Sequence, residues 1–125
     1  KCPNMGIVPS DFDLYVKCSR AFKKICASYT PVMESFSIDE VFLDMTGTSL
    51  LYPDPIAAAH EIKDRISDEL GFTVNVGIST NKLLAKMASD FEKPNKVHTL
   101  FPEEIPAKMW PLPVRELLFL GKASE

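Results

Sequence analysis

Apolar positions recur every three or four residues over two long stretches and alternate over several short ones. Tyr15, Cys18, Phe22, Ile25 and Tyr29 form the first stripe, which predicts a helix over residues 10–29, ended by Pro31. Ser10 and Asp13 have the spacing of a capping box at its start. Ahead of it, residues 5–8 read as a short strand. Residues 32–36 and 41–45 read as two strands, the second with Val41, Leu43 and Met45 alternating against Phe42 and Asp44. The four residues between them predict an antiparallel hairpin with Ser37-Ile38-Asp39-Glu40 at its turn.

The second stripe is Ala59, Ile62, Ile66 and Leu70. Asp54 is its expected N-cap, Pro55 its first helical residue and Gly71 its left-handed closing residue. A strand over 73–78, a helix over 81–91 broken by Pro94, and a strand over 97–100 follow. The proline-rich stretch 102–113 reads as a connector with one short helix, and 114–120 as the opening of another. The order is strand, helix, strand, strand, helix, strand, helix, strand. It predicts an α+β fold, an antiparallel sheet with helices packed on one face, whose core resembles a ferredoxin-like βαββαβ unit.

Composition adds bounds. A chain of 125 residues suits one domain, and its 46% apolar content is ordinary for a folded one. No apolar run approaches a membrane span, and there is no signal-peptide layout. Cys18 and Cys26 lie eight residues apart on one predicted helix, about 12 Å along its axis and too far for a disulfide. With no Cys/His cluster, a reduced cytoplasmic protein is the simplest expectation. The chain opens on Lys1-Cys2-Pro3-Asn4 with no initiator methionine, so an excised piece is expected.

Net charge is −3 with a pI near 5.4, which does not by itself mark a nucleic-acid surface. Its distribution is uneven: +3 over residues 1–30, −7 over 31–70, +2 over 71–98 and −1 over 99–125. An acidic middle between basic segments suits a cation site beside an anion-binding surface, and a patchily charged solvated surface gives the same pattern.

Asp39-Glu40 is the candidate centre of chemistry. Two adjacent carboxylates at a sheet turn bring hard oxygen ligands into one small volume. Mg²⁺ takes one or two such carboxylates and leaves its other positions to water and phosphate. An acidic pair alone is weak evidence, because most are solvated turn residues. Two longer segments change its weight. Residues 37–44, Ser-Ile-Asp-Glu-Val-Phe-Leu-Asp, resemble the S-I-D-E-x-x-L-D signature of Y-family (translesion) DNA polymerases. Residues 77–95, from Gly77-Ile78 through Asn81-Lys82, Ala85-Lys86 and Ala88 to Lys93-Pro94-Asn95, resemble that family's G-I-x-x-N-K-x-x-A-K-x-A-x-x-x-x-K-P segment. The resemblance covers nearly the whole chain and lies nearest the DNA polymerase IV branch.

The resemblance implies a polymerase palm over residues 1–110 and the start of a thumb helix-hairpin-helix over 111–125. It implies template-directed DNA synthesis across damaged DNA by two-metal nucleotidyl transfer, with two Mg²⁺ ions in the intact site. Asp39 would bridge the two ions, and Glu40 would act with it near the primer 3′-hydroxyl. Lys93 would reach the incoming triphosphate, where developing charge calls for a cation. Lys82 and Lys86, four residues apart on one helix face, would contact DNA phosphates. Ser37 would touch the primer end, and Asp90 would support the site from behind. Primer-template DNA and a deoxynucleoside triphosphate are the implied partners. A sliding clamp would be met through other regions, and no membrane is implied.

Asp11-Phe12-Asp13-Leu14-Tyr15 resembles the block that carries the family's remaining metal carboxylate. It follows Pro9-Ser10 and opens a helix, so its acids read as helix-capping residues. The missing carboxylate is then expected upstream, and the isolated chain is expected to be inactive. Phe119 stands where many relatives carry glycine. Two other readings fit the residues less well: a different palm-type two-metal enzyme such as a nucleotide cyclase, and a non-catalytic ferredoxin-like binding module.

Overall fold

The protein is described by a computed structural model covering residues 2–120 and Ala123. Its elements are α1 (Phe12–Ala27), β1 (Met33–Ser35), β2 (Val41–Leu43), α2 (Pro55–Leu70), β3 (Val76–Ile78), α3 (Lys82–Ser89), β4 (Val97–Thr99) and α4 (Ile105–Lys108). Short 3₁₀ turns lie at Thr46–Thr48, Pro102–Glu104 and Val114–Glu116.

The long helices form where the apolar stripes predict them, and the caps explain their limits. Asp11, not Ser10, is the N-cap of α1, and its carboxylate accepts from the Leu14 amide at 3.0 Å. Asp11 and Asp13 are therefore helix-opening acids. Asp54 caps α2 by accepting from Ile56 and Ala57, and Gly71 ends that helix at φ +76°, which a side chain would strain. Asn81 caps α3 through the Leu84 amide.

The α+β class is as expected, and the pairing is more specific than the sequence implied. β1 and β2 form the antiparallel hairpin, with Glu34 opposite Phe42. β3 and β4 pair in parallel, Gly77 opposite His98, so an all-antiparallel sheet is corrected to one antiparallel and one parallel pair. The reason is connectivity: α3 lies between β3 and β4 and carries the chain back before β4 begins, as a parallel pair requires. Residues 5–8 form no strand; Ile7 and Val8 lie exposed with no ladder partner among the described residues. The stretch 114–120 yields only the 3₁₀ turn at Val114–Glu116, and Phe119 takes φ +69°.

Two apolar clusters hold the chain. Phe22, Ile25, Cys26 and Tyr29 of α1 and its exit pack on Ile62 and Ile66 of α2, with Met33, Val41 and Leu43 from the hairpin. Leu84, Met87 and Ala88 of α3 pack on Leu100, covered by Phe91 and the C-terminal segment from Ile105 to Leu118. α1 and α2 thus belong to one cluster and α3 to the other. α3 lies directly on β3 at Gly77, where an added Cβ would come 1.9 Å from the Ala85 carbonyl oxygen. A cleft of about 1770 Å³ separates the two strand pairs. Its walls include Phe22, Cys26, Val41, Ile62, Val76 and Ile78, and Asp39, Glu40, Lys86, Asp90 and Lys93 also line it.

Candidate functional site

The hairpin turn is built by backbone bonds that converge on one oxygen. The amides of Phe36 and Ser37 both donate to the Glu40 carbonyl, at 3.0 and 3.2 Å. This closes a tight loop with Asp39 exposed and Glu40 half-buried. The Ser37 hydroxyl lies between the two carboxylates, 2.7 Å from Asp39 Oδ1 and 3.2 Å from Glu40 Oε2. A hydroxyl has one proton, so Asp39 takes the stronger share. Ser37 therefore ties the two acids to each other.

From Glu40 an alternating chain of charge runs into α3. Lys86 Nζ lies 2.6 Å from Glu40 Oε1 and 2.9 Å from Asp90 Oδ2, and its side chain is only 16% exposed. Asp90 Oδ1 in turn meets Lys93 Nζ at 2.8 Å. Asp90 is the C-cap of α3, where the helix dipole disfavours an acid. Its two lysines reverse that preference. Burial alone would raise the Asp90 carboxyl, but hydrogen bonds from Lys93 and Lys86 outweigh it and hold the group below its usual range. Burial would likewise lower Lys86, and Glu40 and Asp90 together hold it above its usual value.

Lys82, one turn before Lys86, also reaches the hairpin. It pairs with Glu34 and lies 5.8 Å from the centre of the Phe42 ring. Both lysines of the α3 face are thus engaged with hairpin residues. Lys93 is 57% exposed and precedes a cis peptide to Pro94. The turn beyond it is fastened by Asn75, whose side chain accepts from the Lys96 amide at 3.1 Å. Buried Lys63 of α2 adds a contact to the Asn95 side chain at 3.3 Å.

All seven sequence-predicted site residues, Ser37, Asp39, Glu40, Lys82, Lys86, Asp90 and Lys93, line the cleft or its turn. Among the described residues no third His, Cys, Asp or Glu joins Asp39 and Glu40 in a metal-sized cluster. Asp44 also borders the cleft, but its carboxylate accepts from the Thr46 amide at 2.9 Å and its carbonyl from the Thr30 hydroxyl at 2.6 Å, a structural role.

Residues 1–90 match the family described as impB/mucB/samB. The chain belongs to that family. Among its relatives are the DNA polymerase IV of Clostridium acetobutylicum, 52% identical over 125 residues, and that of Moorella thermoacetica, 43% identical over 124. The matches cover 100% and 99% of this chain and 31% of each relative, so the chain spans about a third of the length of the curated relatives it matches. Solved structures agree on the fold. The insertion ternary complex of Dbh DNA polymerase superposes with a TM-score of 0.87 at 29% identity, over 98% of this chain and 36% of that one. A Y-family DNA polymerase chimera, Dbh-Dpo4(243-245)-Dbh, gives 0.85 at 30% identity, over 96% and 35%. The expected kinship with Y-family polymerases is borne out.

Two residues of this family member that touch the turn carry no motif. Ser19 and Lys23 of α1 both donate to its backbone: Lys23 Nζ to the Ser37 carbonyl at 2.7 Å, and the Ser19 hydroxyl to the Ile38 carbonyl. Their only signal in sequence is a polar pair at i,i+4 on the helix.

Proposed function

We propose that this chain is the metal- and phosphate-handling core of a template-directed DNA polymerase of the Y family, one that copies damaged templates. The observation that carries the reading is the gathering of Asp39, Glu40 and Lys93 along one cleft, linked through Lys86 and Asp90. On this reading residues 1–110 are palm and 111–125 begin the thumb.

The donor set fits a hard divalent cation. Asp39 and Glu40 offer carboxylate oxygens close enough to share one hydroxyl, and Asp39 Oδ2 has no hydrogen-bond partner among the described residues. Those two residues would hold Mg²⁺, which supplies charge neutralisation at the reacting oxygens when bound. Glu40 is kept in place by Lys86 and Ser37. Lys93 has an exposed ammonium with one partner, Asp90, and can offer its other donors to a triphosphate. Ser37 lies at the turn where a primer end would arrive, and Lys82 lies on the exposed edge of α3, positioned for a DNA phosphate once it releases Glu34.

The site needs more than these residues. β2 and β3 each have a single strand partner among the described residues, and the cleft lies between them. An extended segment from elsewhere in the protein would complete the sheet there and bring the third carboxylate. The isolated chain is therefore expected to be inactive. Its three free cysteines fit a reducing, cytoplasmic setting, and among the described residues no helix is long and apolar enough to cross a membrane.

The test is primer extension on a primed template by the protein that carries this chain. Asp39→Asn should abolish extension with the fold retained, as circular dichroism would show. Retained extension would overturn the assigned role. A cyclic product formed without a template would mark a nucleotide cyclase instead.

A further inference from the structure

We propose that Lys23 and Ser19 of α1 are positioning residues for the Asp39–Glu40 turn, acting through its backbone. The turn's two backbone–backbone bonds both end on the Glu40 carbonyl. The carbonyls of Ser37 and Ile38 take no part in that set, and a carbonyl in a half-buried loop needs a donor. α1 supplies both donors, four residues apart on one face. Two consecutive peptide planes are fixed in this way. The second is the Ile38–Asp39 peptide, whose orientation sets where the Asp39 side chain leaves the backbone.

The clamp is rigid because its helix is rigid. Ser19 is buried, and Phe22, Ile25 and Cys26 anchor the same helix in the first apolar cluster. The turn itself is short and part-exposed, and its one apolar side chain, Ile38, is itself 49% exposed, so little apolar packing holds its shape. A site whose carboxylates must stay placed to a fraction of an ångström needs such support from behind. The division of labour is then simple: α1 holds the turn's backbone, and Ser37 and Lys86 hold its carboxylates.

The proposal rests on the reading that Asp39 and Glu40 are the catalytic carboxylates, and the experiment separates the two. In the protein that carries this chain, Lys23→Met keeps the methylene packing and removes the donor, while Lys23→Gln and Lys23→Arg restore a donor. The measurements are kcat and KM for the deoxynucleotide, the Mg²⁺ concentration giving half-maximal rate, and the thermal midpoint. Lys23→Met should lower kcat by about 10-fold or more and raise the Mg²⁺ midpoint several-fold, the range typical for residues that orient metal ligands from behind. KM for the nucleotide and the thermal midpoint should hardly move, and Lys23→Gln and Lys23→Arg should recover most of the rate. Ser19→Ala should act in the same direction, and Ser19→Thr should restore it. A folded Lys23→Met with unchanged kcat and Mg²⁺ midpoint overturns the proposal. So do folded Gln and Arg variants as impaired as Met, because packing rather than donation would then be at work. Asp39→Asn in parallel reports on the site itself: full activity there removes the catalytic reading, whatever Lys23 does.

Discussion

Gly77→Ala tests how tightly the fold and the site are coupled. Gly77 sits in β3 beneath α3, and a methyl group there would lie 1.9 Å from the Ala85 carbonyl oxygen and 2.5 Å from the Ser89 amide nitrogen. Both atoms are backbone, so no side chain can rotate away. Relief requires α3 to retreat by about 1 Å or more, since unstrained carbon contacts begin well beyond 3 Å. That retreat loosens Leu84, Met87 and Ala88 from Leu100, a contact in which Ala88 and Leu100 have no exposed surface. Overpacking usually costs about 1–3 kcal/mol, and a backbone clash belongs at the upper end, so about 3 kcal/mol is expected.

The same shift carries Lys86 and Asp90 away from Glu40. A 2.6 Å ion pair stretched by an ångström is no longer a hydrogen bond. Extension by the folded variant should therefore fall by about 100-fold, the scale of a 1 Å misplacement. Urea unfolding of the protein that carries this chain, read beside primer extension at low temperature, measures both effects. Gly47→Ala is the control, because a methyl there meets nothing within 4 Å; its cost should stay within about 0.5 kcal/mol. If Gly77→Ala is no more destabilising than Gly47→Ala, the close approach of α3 to β3 is wrong.

Two further predictions concern stability. Burial pushes the Cys26 thiol up to about 11 from an ordinary value of 9.0, so the unfolded chain releases this proton before the native one does. Its contribution is intact below pH 9 and is lost as pH rises toward 11, by about 3 kcal/mol in all; Cys26→Ala should flatten that part of the alkaline unfolding profile, and an unchanged slope would refute the assignment. Phe119 sits at φ +69° with its side chain exposed, a backbone state that costs a side-chain-bearing residue about 1 kcal/mol, so Phe119→Gly should raise stability by roughly that amount in denaturant titration.

What the sequence disclosed follows from how local each cause is. The α1 and α2 stripes, the Asp54 cap and the Gly71 stop each depend on residues within a turn or two, and each formed where spacing placed it. Ser10 lost the cap of α1 to its neighbour Asp11, a one-residue competition between two good capping side chains. The strand expected over residues 5–8 has the right residue types and no partner among the described residues, and a strand exists only as a pair. The parallel register of β3 and β4 was likewise invisible in alternation, which is the same for either direction. At the site, Asp39, Glu40 and Lys93 stood out because long motifs surround them. The contact of Lys86 with Glu40, the buried Lys63 beneath Asn95 and the α1 donors join residues far apart in sequence, and no local pattern marks them.

The charge pattern gains its meaning from those distant contacts. The acidic middle of the chain and the lysines after it meet as a line of alternating sign: Glu40, Lys86, Asp90, Lys93. Its two lysines differ in one respect that matters. Lys86 is 16% exposed and held at two carboxylates, so pulling it away would strand half-buried charge. Lys93 is 57% exposed with a single carboxylate partner, and an exposed pair of that kind is worth only about 0–1 kcal/mol. On the proposed reading, then, an arriving triphosphate can draw Lys93 from Asp90 at little cost, while Lys86 stays and keeps Glu40 in place. On that reading burial would give one lysine to the substrate and the other to the scaffold, though the sequence writes them as the same residue seven positions apart.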